Sequence, residues 1–132
     1  MRSNVETLLE VLDAYNSGDM ARIAELTDPA FEAEVSAEVS AEPDTYRGHD
    51  GVRRYFLSFW DAMEDIRFHA ERLRERGDRV VAVVRLTATG RHTAIPVEQR
   101  VVLVWRFRSG RALSVRTYAT EAEALGSLGL DV

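Results

Sequence analysis

The side chains of this chain that could do more than pack are few, and their spacing limits what they could do. Three histidines, His49, His69 and His92, could in principle hold a metal or relay a proton near neutral pH. They are far apart in the chain and show no short ligand spacing, so the pattern predicts surface histidines and no metal site. Tyr15, Tyr46 and Tyr55 could donate a phenolic hydrogen to a ligand, although a tyrosine on an apolar helix face is first of all a core residue with its hydroxyl at the rim. Glu32, Glu34 and Glu38 form a file of carboxylates along one segment. The chain has no cysteine, which removes disulfides, thiolate nucleophiles and thiolate-bound metals together. All 17 basic residues are arginines, so no lysine is present to form a Schiff base or to grip a nucleotide phosphate. Neither G-x-S-x-G nor G-x-G-x-x-G occurs. The expectation is a protein that works without a cofactor.

These residues must be positioned by elements whose signals are local. Ser3 and Glu6 form a capping box ahead of Val5, Leu8, Leu9, Leu12 and Tyr15, predicting a first helix to about Ser17. Gly18 stops it, Asp19 caps a short second helix with Met20, Ile23 and Leu26, and Pro29 ends that element. From Phe31 the period becomes two, with Phe31, Ala33, Val35, Ala37 and Val39 alternating against Glu32, Glu34, Ser36, Glu38 and Ser40. That is a strand with one wet face, on which Glu34 points away from the core. The stretch 41–48 reads as a loop, and a third helix is expected over 49–65 with Val52, Tyr55, Phe56, Phe59, Trp60 and Met63 inward. Hairpin strands follow over 67–76, 79–89 and 97–108, then a last strand over 111–118 and a helix capped by Thr120 and Glu123. On the fourth strand Gln99, Val101, Leu103, Trp105 and Phe107 share the inner face, matched by Leu113, Val115 and Thr117 on the fifth.

The chain has 132 residues, of which 45% are hydrophobic and 30% charged, the profile of one globular domain spanning 1–132. Helices, a strand, a helix and a run of hairpins make an α+β domain whose mostly antiparallel sheet curls around three helices. A net charge of −5 offers no basic field for phosphates, so neither nucleic acid nor an anionic membrane is an expected partner. The amino-terminal stretch lacks the pattern of a signal peptide and no apolar run is of membrane length, so a cytoplasmic protein is expected.

Particular segments resemble a known family. They are Tyr15-Asn16-Ser17-Gly18-Asp19, Leu26-Thr27-Asp28-Pro29, Thr45-Tyr46-Arg47-Gly48-His49-Asp50-Gly51-Val52, Gly77-Asp78-Arg79-Val80-Val81, Val104-Trp105-Arg106-Phe107 before Ser109-Gly110-Arg111, and Tyr118 before Glu121-Ala122-Glu123-Ala124-Leu125. In order, over nearly the whole chain, they resemble the SnoaL-like domains of the nuclear transport factor 2-like superfamily. That resemblance implies a cone-shaped fold with a pocket between sheet and helices, in relatives that include polyketide cyclases, ketosteroid isomerases, limonene-epoxide hydrolases, scytalone dehydratases and domains without catalysis. Fold alone therefore leaves the function open.

An ungapped match to a ketosteroid isomerase brings Glu34 to the position of the catalytic base, and Leu103 to that of the protonated carboxylic acid donor. Half of that oxyanion device is thus missing, and isomerisation of that kind is disfavoured. Two functions remain: a cofactor-independent isomerase, cyclase, dehydratase or hydrolase acting on a small apolar substrate, with Glu34 or another polar group as base, or a non-catalytic binding or dimerisation module. In either case the pocket is expected to be lined by Tyr15, Tyr55, Phe56, Phe59, Trp60, Gln99, Val101, Leu103, Trp105, Leu113, Val115 and Thr117. The central strands also carry apolar residues on their other face, Val81, Val83, Val102 and Val104, which predicts a homodimer through the outer face of the sheet. Outer arginines such as Arg100 and Arg106 would form its rim, meeting Glu71 or Glu98 of the second copy.

Overall fold

Helix α1 (Asn4–Asn16) begins where Ser3 turns its hydroxyl to the Glu6 amide at 3.1 Å, capping one of the helix's open N–H groups. Leu8, Val11, Leu12 and Tyr15 recur at helical spacing and are buried, while Leu9 faces solvent. Gly18, at φ 76°, breaks the helix, and the Asp19 carboxylate accepts from the Arg22 amide to start α2 (Met20–Glu25). The remaining elements are β1 (Thr27–Val35), β2 (Asp44–Arg47), α3 (Gly48–Leu57), β3 (Met63–Arg76), β4 (Arg79–Gly90), β5 (Pro96–Arg108), β6 (Arg111–Tyr118) and α4 (Glu121–Ser127). This is a computed structural model, which describes residues 3–35, 44–57, 63–118 and 120–128.

The six strands form one curved, unclosed sheet in the order β2-β1-β6-β5-β4-β3, antiparallel except where β1 runs parallel to β6. It matches the expected α+β architecture, with three local corrections. The stretch expected to be a loop supplies β2, which pairs Arg47 with Glu32 and Tyr46 with Ala33. Four residues are too few to display a period. β1 starts at Thr27 and runs through Pro29, because a register break between Thr27 and Glu32 spares the ladder a bond that proline cannot donate. Met63, expected inside the third helix, opens β3 and pairs with Gly90, with Asp65 at φ 54° where the register shifts. Pairing with a distant strand outweighs the helical period there.

Two apolar clusters lie on opposite faces. The inner one joins α1 and α2 to the sheet through Leu8, Val11, Ile23, Phe31, Val80 and Trp105. Asn16 fastens the end of α1 to β3, its amide donating to the Phe68 carbonyl at 3.0 Å and accepting from the Phe68 N–H at 2.9 Å. α3 lies against β1 and β2. It comes so close that a Cβ at Gly51 would stand 2.7 Å from the Tyr46 carbonyl carbon, so only glycine fits.

The outer cluster contains Val81, Val102 and Val104, with Val83 packed at its edge, and it is covered by Ala124 and Leu125 of α4. This changes the premise on which a second copy is expected. The apolar outer face does need a cover, but the chain's own last helix provides it, leaving Val81, Val102 and Val104 at most 7% exposed. The rim charges are also paired within the chain. Arg100 meets Glu71 at 2.7 Å and Arg85 meets Glu98 at 3.7 Å.

Candidate functional site

The inner face is built by register. Val101, Leu103 and Trp105 of β5 stand beside Val84, Ala82 and Val80 of β4. On the other side Trp105 pairs with Val115 and Leu103 with Thr117 of β6. Side chains alternate across a strand, so all of these project to the face that carries α1 and α2. Along β5 the inner positions open progressively: Trp105 is 1% exposed and Leu103 is 4% exposed, Val101 is half-buried and Gln99 is exposed. Trp105 therefore marks the closed end of this face and Gln99 its open end. Ala33 and Tyr46 continue the surface across β1 and β2, and the Arg54 guanidinium lies 5.3 Å from the Tyr46 ring centre. Among the described residues the buried polar side chains are Thr7, Thr27 and Thr117. Thr7 and Thr27 bond carbonyls one turn back, at Ser3 and Ile23, and Thr117 is the buried hydroxyl set by register beside Leu103.

Several expected lining residues are placed differently. Tyr15 is buried with its ring 4.8 Å from that of Phe68, between α1 and β3. Leu113 does not join the inner cluster. A bulge sets Ala112 opposite Phe107 and Ser114 opposite Arg106, so Leu113 is the extra residue, and it lines a groove on the outer face. Tyr55 and Phe56 occupy positions in α3 whose side chains are not described, and Phe59 and Trp60 lie outside the described residues.

Glu34 is not on the inner face. The register of β1 is unbroken from Glu32 to Val35 against β2, and from Glu32 to Glu34 against β6. No bulge re-aims the side chain, and it stands on the face opposite Phe31 and Ala33. Its carboxylate accepts two bonds from Arg116, at 2.7 and 3.2 Å, while 44% of the side chain remains exposed. Glu34, followed by Tyr118, holds the Arg116 guanidinium above its ordinary pKa. A base needs a free lone pair beside the reacting carbon; this carboxylate stands on the other side of the sheet, with its Oε2 held by an arginine.

The histidines are separate. His49 Nε2 lies 2.9 Å from the Thr27 carbonyl, His69 Nε2 lies 3.2 Å from the Thr87 hydroxyl, and His92 is exposed in a turn. Among the described residues no three His, Asp or Glu side chains are grouped to hold a metal ion. No helix among them is long and apolar enough to cross a membrane.

Sequence reasoning missed the two outer grooves that border α4. One, of about 470 Å³, runs past Glu32, Glu34, Val104, Arg106, Arg116 and Leu128. The other, of about 560 Å³, runs past Glu71, Arg72, Val83, Arg100 and Glu121. Arg79 also lines the first groove. Several of the grooves' charges are paired, Arg116 with Glu34, Arg106 with Asp78, Arg100 with Glu71 and Arg72 with Glu121, all at 2.7–2.9 Å. Only the fold brings these partners together, so no spacing along the chain could have announced them.

Residues 8–115 match the model of a SnoaL-like domain. Solved structures share the fold over nearly the full chain. A nuclear transport factor 2-like protein from Burkholderia thailandensis E264 is 28% identical, with 89% of this chain and 91% of that one covered at a TM-score of 0.77. Another from Burkholderia pseudomallei K96243, of unknown function, is 22% identical over 96% and 97% of the two chains at a TM-score of 0.78. A hypothetical protein with a ketosteroid isomerase-like fold from Catenulispora acidiphila DSM 44928, solved in complex with trimethylamine, is 14% identical over 95% and 93% at a TM-score of 0.75. No curated protein matches the chain.

Proposed function

The chain belongs to the SnoaL-like domain family, and on that premise we propose that it binds a small, largely apolar molecule on the inner face of its sheet, over Val101, Leu103, Val115 and Thr117. The observation that carries this reading is the grade of exposure along β5, from Trp105 at the closed end to Gln99 at the open end, on a face that is mostly apolar and carries the Thr117 hydroxyl. Such a surface gains by excluding water from a hydrocarbon ligand, and a few polar groups suffice to orient it. The Catenulispora protein of the same fold was solved with a small organic molecule, which is consistent with this use.

Binding is favoured over catalysis by Glu34 because that carboxylate and the inner face lie on opposite sides of the sheet. The test is a titration of the isotopically labelled chain with cyclohexanone, followed by nuclear magnetic resonance. The expected result is movement of the Val101, Leu103, Val115 and Thr117 methyl signals. Movement confined to Val104, Leu128 and the outer groove, or none at any concentration the probe reaches, overturns the reading.

A further inference from the structure

The strand that forms the inner face also carries a polar atom without a hydrogen-bond partner among the described residues. Trp105 is 1% exposed, and its indole Nε1 is buried without a hydrogen-bond partner, the sole such side-chain atom among the described residues. Buried donors are almost always paired, because an N–H taken out of water and left alone forfeits the bond that water gave it. Packing alone does not ask for that atom: Phe107, two positions on along the same face, is buried with a plain hydrocarbon ring.

The surroundings explain why the protein itself leaves the indole unsatisfied. Along the strand its inner-face neighbours are Leu103 and Phe107, and across it are Val80 and Val115. The Phe31 ring lies 6.4 Å away, centre to centre. The ladder bonds of β5 to β4 and β6 occupy the backbone on either side. The nearest polar group by register is Thr117, diagonal to Trp105 on β6 and beside Leu103.

We propose that the Trp105 indole N–H is the hydrogen-bond donor of the inner-face site, and that its ligand is an apolar molecule bearing a neutral acceptor oxygen, such as a ketone, ester or ether. The inference rests on the binding reading above and specifies its chemistry. An indole N–H donates and cannot accept, so the group it meets must be an acceptor. The valines, leucine and phenylalanines around it would not compensate a carboxylate for its lost hydration, which selects a neutral oxygen over an anion. The graded opening of β5 lets a molecule enter from the Gln99 end with its hydrocarbon body over Val101 and Leu103, and its oxygen toward Trp105.

The test uses the full chain with nitrogen-15 label and two probes of nearly equal shape, cyclohexanone and methylenecyclohexane. The Trp105 indole signal is the one lost in Trp105→Phe and kept in Trp60→Phe. Cyclohexanone is expected to move that signal downfield and to bind about threefold to tenfold more tightly than the hydrocarbon, the discrimination of one neutral hydrogen bond. Trp105→Phe should bring the two affinities together. Should that variant fail to fold, 3-benzothienylalanine at position 105 keeps the ring volume and replaces the N–H by sulfur, and the same equalisation is expected. Equal binding of both probes by the unmodified chain, or ketone binding that leaves the indole signal in place, overturns the assignment while the binding reading stands. A water that stays on the indole N–H with ketone bound, detected by its nuclear Overhauser effect, also overturns it. If neither probe binds, both inferences fall.

Discussion

Leu125→Ala tests how the outer face is closed. Leu125 is 1% exposed and sits with Ala124 against Val81, Val102 and Val104. Truncating a buried leucine costs about 2–5 kcal/mol, and a short terminal helix can settle toward the gap, so about 2–3 kcal/mol is expected here. The other attachments of α4 are weaker. The Thr120 hydroxyl caps the helix by accepting from the Glu123 amide at 3.1 Å, a contact of about 1 kcal/mol. Arg72 pairs with Glu121 at 2.9 Å with its own side chain 60% exposed, which is worth about 0.2–1 kcal/mol. The lost leucine contact thus matches or exceeds both together, and α4 should detach locally while the sheet stays folded. Hydrogen exchange of the Ala124 amide, bonded to the Thr120 carbonyl, is expected to accelerate roughly 30- to 150-fold, with β4 and β5 amides unchanged. The uncovered valines should then drive self-association, visible by sedimentation velocity. Unchanged protection in α4 together with unchanged sedimentation would refute the view that this helix is the cover.

Glu34→Gln should leave cyclohexanone affinity unaltered and move stability by less than about 1 kcal/mol, because the pair with Arg116 is half exposed; loss of binding in a folded variant would place the site on the wrong face. Asn16→Ala should destabilise the chain by about 1–3 kcal/mol in urea unfolding, since it strands both the N–H and the carbonyl of Phe68; a change within error would mean water replaces the amide without cost. Asp28 is held below the usual carboxylate pKa by the Ala30 amide and then Arg108, Glu71 by Arg100, and Asp78 by Arg106. Groups depressed in the folded state add stability that is fully present above their unfolded pKa and is lost as pH falls through the folded one. The thermal midpoint should therefore fall between pH 6 and pH 3, less steeply in Asp78→Asn, and equal slopes for the two proteins would count against the Arg106 contact.

The features legible along the chain are those whose causes lie within a few residues. The Ser3 and Thr120 caps, the break at Gly18 and the two-residue period of β4 and β5 each depend on neighbours three or four positions away at most. The face occupied by Glu34 was legible for the same reason. Alternation between Phe31 and Ala33 already turned it outward, against the family match that offered it as a base, and the unbroken register of β1 preserves that alternation.

Other features depend on which surfaces meet. β2 exists because four residues find the edge of β1, and Met63 becomes strand because Gly90 lies beside it. The displacement of Leu113 follows from a bulge that pairing with β5 creates. The same holds for the orphan indole: a tryptophan at an inner strand position is visible in sequence, but the lack of an acceptor depends on Phe31, Val80 and Val115 gathering around it. The outer face shows the division most plainly. The double-sided apolar pattern at 81–83 and 102–104 required a cover, and burial of apolar surface is non-directional, so any hydrophobic partner could have supplied it. Only the tertiary fold, by carrying Leu125 back across the sheet, decided that the chain covers itself.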